Sequence, residues 1–116
     1  MSQIPEFTDT EIWVIRSTLK ERYGEEPELQ FADAELRLDP IRPVLTPCPT
    51  VVWHGHGATF AIFKTGEGLY RSQFFYTVRE QYGTGIAEYT DIAECVTTLL
   101  QAHADHHSKR DAEARR

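Results

Sequence analysis

A chain of 116 residues with 41% hydrophobic and 26% charged side chains fits one folded domain and excludes global disorder. Its net charge of −6 excludes nucleic acid as the expected partner: four of the basic residues (Lys109, Arg110, Arg115, Arg116) sit in the last twelve positions against three acidic ones, leaving −7 on residues 1–104, whereas binding a phosphate backbone depends on Lys and Arg. No apolar stretch approaches the ~20 residues of a membrane span, and Glu6, Asp9 and Glu11 interrupt the N-terminus before a signal-peptide core forms. The expectation is a cytoplasmic protein with Cys48 and Cys95 as reduced thiols.

The first helix is well signalled. Thr8 is its cap, Glu11 completes a capping box, and Phe7 with Ile12 makes a hydrophobic staple. Ile12, Ile15, Leu19 and Tyr23 form one apolar stripe with Trp13 beside it, and Gly24 supplies a left-handed stop. Residues 28–38 read as a strand, in which a change of phase from Leu29 and Phe31 to Leu36 and Leu38 predicts a bulge within Ala32–Ala34.

Pro40, Pro43, Pro47 and Pro49 then predict an extended surface segment, since proline is unsuited to helices and interior strands. From Thr50 the pattern is β again: a strand beginning at Val51–Trp53, one through Phe60 and Ile62, a turn at Thr65-Gly66-Glu67-Gly68, and a return strand from Leu69 to Tyr76. Phe74, Phe75, Val78 and Tyr82 also fit a helical stripe, but aromatic and β-branched residues favour strand. Ile86 to Tyr89 reads as a short strand. Asp91 caps a second helix whose face carries Ile92, Val96, Leu99, Leu100 and His103. The polar residues after His107 are expected to fray, so the domain spans 1–107 and the tail 108–116.

These elements predict an α+β fold: an antiparallel sheet of about four strands, with the N- and C-terminal helices packed on one face as a two-layer sandwich.

Five groups of residues carry possible chemistry. His54 and His56 lie two apart on a strand, and His103 and His107 four apart on a helix; if the pairs converge, they suit a divalent metal such as zinc, with Cys48 as a further ligand. Against this, histidines near a helix C-terminus are favoured by the macrodipole, and no H-E-x-x-H spacing is present. Cys48, between Pro47 and Pro49, reads as an exposed thiol, but no orienting group or oxyanion site marks it as a nucleophile. Three G-x-G runs read as turns rather than nucleotide loops, and scattered carboxylates such as Asp33, Glu35 and Glu88 as solvated faces.

The fifth group is the run Tyr70-Arg71-Ser72-Gln73-Phe74-Phe75-Tyr76. Aromatic residues with arginine are the usual anchors of protein interfaces, and Tyr70, Arg71, Gln73 and Phe75 are the candidate partner-binding residues. The favoured reading is a small acidic, non-enzymatic interaction module docking on another protein, or on a second copy, through its sheet face. Metal or cofactor binding is the alternative, and no resident cofactor is expected.

Overall fold

The computed structural model describes residues 4–77 and 79–114. It contains α1 (Asp9–Tyr23), β1 (Gln30–Leu36), β2 (Thr46–Gly55), β3 (Ala58–Gly66), β4 (Leu69–Phe75), β5 (Gln81–Tyr82) and α2 (Ile92–Ala114). The strands form one antiparallel sheet in sequence order, β1-β2-β3-β4-β5. The sheet therefore has five strands rather than about four, and the α+β architecture with a helix at each end holds.

Local signals explain α1. Thr8 Oγ1 accepts a hydrogen bond from the Glu11 amide at 3.1 Å, and Glu11 Oε1 accepts one from the Thr8 amide at 2.7 Å, so two amides left over by the first turn are satisfied reciprocally. Gly24 closes the helix at φ 78°, its N–H donating to the Lys20 carbonyl at 2.8 Å. Asp91 opens α2, Oδ1 accepting from the amides of Ala93 and Glu94. That helix does not stop at His107. It continues to Ala114, and the sequence gives no Gly or Pro to break it. Arg115 and Arg116 lie outside the described residues.

Strand registers fix what each face carries. Val51, Trp53, Phe60, Ile62, Lys64, Tyr70 and Phe74 share one side, and all are at most 4% exposed. Both helices lie there: Glu11 of α1 reaches Lys64 and Tyr70, while His103 of α2 stacks edge-on against Phe60 and Phe74. Ile15, Leu19, Cys95, Val96, Leu99 and Leu100 complete this core. Phe31, on the helix side of β1 but 52% exposed, marks where the helix layer ends.

The opposite face carries Cys48, Thr50, Val52, His54, Thr59, Ala61, Phe63, Arg71, Gln73 and Phe75. Among the described residues no helix or strand crosses it. The connection between β1 and β2 folds back over one end, where Arg37, Leu38 and Pro40 share a cleft with Arg71.

Three expectations need correction, and one alternative to strand falls away. β1 pairs with β2 without a bulge, from Gln30↔Val52 to Leu36↔Thr46. No bulge is required because Leu29 is buried on the helix side while Leu36 faces the opposite side, so each phase meets its own face. Pro47 and Pro49 lie within β2, not in a surface loop. They are tolerated because residues 46–49 pair only with β1; the ladder to β3 begins at Thr50↔Phe63, so two prolines two apart direct their missing N–H groups at an unpaired side. After Phe75 the chain makes a turn, with the Glu80 amide donating to the Thr77 carbonyl, and then forms β5; the helical option fails there, although Val78 itself lies outside the described residues. Between Ile86 and Tyr89, among the described residues, only Tyr89 pairs, bridging to Tyr70.

Candidate functional site

The hairpin between β2 and β3 has two loop residues, His56 at φ 52° and Gly57 at φ 78°. Positive φ at both positions is the type I′ geometry that matches the twist of the flanking strands. Histidine enters the left-handed region more readily than most residues with a side chain, and glycine without steric cost. The turn holds His56 against α1: its ring stacks on Tyr23 with centroids 4.1 Å apart.

The second cluster comes from α2. His103 is 4% exposed and sits edge-on to Phe60 and Phe74, at 4.9 and 5.4 Å between centroids. Burial, reinforced by the charges of His107, His56 and His106, lowers its pKa to about 4, so it is neutral at pH 7. Its Nε2 is buried without a hydrogen-bond partner among the described residues. His107 lies one turn on, 5.7 Å ring to ring, and His106 turns sideways to a 3.2 Å hydrogen bond with the Tyr76 hydroxyl.

His56, His103 and His107 thus line one cleft of about 440 Å³, with Arg22, Tyr23 and Ser108. Only His56 of the hairpin pair meets the helix pair among the described residues, so the five-residue metal site expected does not form. His54 points to the opposite sheet face and is exposed, its Nδ1 2.8 Å from Thr59 Oγ1. Cys48 also lies on that face, fully buried rather than exposed, because β2 has absorbed the prolines flanking it. Burial raises its thiol above the ordinary value, with Arg71 opposing in part, so it is not an activated nucleophile. Cys95 is buried too, its thiol pushed up to about 12 by burial. Among the described residues no group of three or more His, Cys, Asp or Glu side chains stands where it would hold a metal ion.

Of the four partner-binding candidates, Arg71, Gln73 and Phe75 lie half-buried on the face opposite the helices. Tyr70 does not join them. It is 4% exposed on the helix side, where its hydroxyl donates to Glu11 Oε2. Alternation within β4 forces this separation. Val52 and Phe63, on the neighbouring strands, complete the half-buried apolar surface beside Gln73. Arg71 is steadied by Glu88 at 3.8 Å, whose Oε2 also accepts from the Thr65 hydroxyl at 2.9 Å.

The rim of this face carries a feature that periodicity does not reveal. Arg37 donates to the carbonyls of Asp39, Pro40 and Arg42, and the Asp39 carboxylate accepts from the Ile41 amide. The loop so tied displays Ile41, Val44 and Leu45 at 87%, 60% and 53% exposure. The sequence signal was present, three large aliphatic residues among prolines with no alternation to bury them.

No helix among the described residues is long and apolar enough to cross a membrane. No protein-family model, curated protein or solved structure matches this chain.

Proposed function

We propose that this chain is a non-enzymatic interaction module that docks on another protein through the sheet face opposite its helices. One observation carries the reading: both helices cover the same side, while Val52, Phe63, Gln73 and Phe75 lie half-buried on the other. Half-buried aromatic and aliphatic side chains beside an arginine are the composition of interface centres. The exposed Ile41, Val44 and Leu45 extend that surface. A loop already held by its own hydrogen bonds loses less conformational freedom on binding than a loose one. The overall charge of −6 favours a partner with a basic surface. The absence of an activated thiol supports a binding role over a cysteine-based reaction.

The test is site-specific photo-crosslinking in the native host. A benzophenone side chain replaces Gln73 on the sheet face, or, as the control, the exposed Arg16 on α1. The proposal expects a discrete adduct from position 73 and none from position 16; an adduct of doubled mass identifies a second copy of this chain. Equal labelling from both positions, or none from position 73, refutes it.

A further inference from the structure

The cleft between the helices and the β2–β3 hairpin is separate from the proposed docking face, and its chemistry points elsewhere. Arg22 enters from the last turn of α1, His56 from the hairpin tip, and His103, His107 and Ser108 from α2. Among the described side chains no carboxylate lines it, although acidic residues outnumber basic ones 18 to 12 in the chain. Among the described residues the guanidinium of Arg22 gives one hydrogen bond, of 3.3 Å to Gln101 Oε1, which leaves further donors for a ligand. The walls are flat and apolar, from the Tyr23 ring stacked on His56 and from Leu100 and Ala104. Its volume, about 440 Å³, is in the range of small-molecule sites. At the floor lies the 4% exposed His103, with its Nε2 unpartnered among the described residues. Buried polar atoms are almost always paired, so such an atom beneath a cleft needs an explanation.

We infer that this cleft binds a small aromatic oxyanion, a carboxylate or phosphate carried on a flat ring. Arg22 holds the anionic end with charge-assisted hydrogen bonds, its planar fork matching either group. Ser108 and His107 supply the polar surroundings of that end, and the ring lies along Tyr23 and His56. A divalent cation is the wrong occupant, because a guanidinium repels it and no three metal-binding side chains are placed to hold one among the described residues.

The experiment is a ¹H–¹⁵N NMR titration of the full chain with benzoate, phenyl phosphate, acetate and benzyl alcohol. Benzoate or phenyl phosphate should give saturable shifts at Arg22, Tyr23, Gly57, Ala104 and Ser108, at roughly millimolar or lower Kd. Whichever binds tighter identifies the anionic group. Acetate, lacking the ring, and benzyl alcohol, lacking the charge, should each bind about tenfold more weakly, one tenfold step being about 1.4 kcal/mol. Arg22→Gln, a surface change that leaves the core intact, should weaken the better anion by about tenfold or more. The proposal is overturned if neither aromatic anion gives saturable shifts at these residues. Benzyl alcohol binding as well as the anions, or unchanged affinity in Arg22→Gln, overturns it equally.

Discussion

Lys64 Nζ and Glu11 Oε1 lie 2.8 Å apart with side chains only 2% and 10% exposed, joining β3 to the first turn of α1. The ammonium also donates to the Glu6 carbonyl at 2.9 Å, and the second carboxylate oxygen accepts from Tyr70. Burial alone would push Glu11 up, but hydrogen bonds from Lys64, Tyr70 and the Thr8 amide, with the Lys64 charge, outweigh it and hold the carboxyl below its ordinary value. One glutamate therefore caps the helix and anchors it to the sheet.

Removing one partner from this pair should cost far more than its net contribution, because a buried charge is left uncompensated. Lys64→Met is expected to lower unfolding stability by about 3–5 kcal/mol. The double variant Lys64→Met with Glu11→Gln removes the stranded charge, keeps one amide oxygen to accept from the Thr8 amide and turns its NH2 to the Tyr70 hydroxyl, which can accept from it, so it should recover part of that loss. Urea denaturation of the three proteins measures the difference. A double variant no more stable than Lys64→Met would show that charge is not what the pair contributes.

Acid should destabilise the fold in two stages. The folded pKa of His103 is lowered from 6.5 to about 4, so the unfolded chain takes up its proton first. The contribution of this group is complete above about pH 6.5 and is lost as pH falls towards 4, by roughly 2–3 kcal/mol. Glu11 follows: its depressed value means stability present above the ordinary 4.5 and lost as pH falls below it. Urea midpoints from pH 8 to 4 should decline in the native protein. In His103→Phe, which keeps an aromatic ring against Phe60 and Phe74, most of the decline above pH 4.5 should vanish. A parallel decline in both proteins would assign the effect to other groups.

Gly57 faces open space, where a Cβ would meet no described residue within 4 Å, yet has φ +78°. A substitution there meets backbone strain alone. Gly57→Ala should cost about 1–2 kcal/mol, the penalty of an L-residue in the left-handed region. His56→Asn, which suits the same turn, should keep the hairpin but remove the Tyr23 stack. Melting temperatures of the two variants separate turn geometry from ring contact, and an unaffected Gly57→Ala would rule out the I′ turn.

The legible parts of this fold were those written in short-range code. Thr8, Glu11 and Gly24 state the limits of α1 through groups within one turn of each other, and the stripe from Val96 to His103 states which side of α2 is buried. Less legible was whatever depends on neighbours in space. Pro47 and Pro49 look incompatible with a strand unless it is known that β3 begins pairing only at Thr50. Cys48 looks exposed for the same reason. The buried Lys64 is invisible in a strand pattern because its partner is 53 residues away. Of the candidate metal set, spacing correctly placed His103 and His107 on one helix face, but parity along β2 was broken for His56 by the turn, which carried it away from His54 to the other side of the sheet.

Arg37 gives the docking proposal its sharpest mutational test. Its side chain is exposed and touches no core residue in its hydrogen bonds, all three of which go to carbonyls of its own loop, at 3.3, 2.7 and 3.2 Å. Arg37→Ala should therefore leave global stability within about 0.5 kcal/mol, as for ordinary surface changes. The loop itself should loosen, so that limited proteolysis cuts residues 38–45 faster while the sheet remains protected. If the tied loop presents Ile41, Val44 and Leu45 to a partner, the same variant weakens the cross-link from position 73, because ordering the loop is added to the cost of binding. Faster cleavage with an unchanged cross-link would confine docking to the sheet face and remove the loop from the interface.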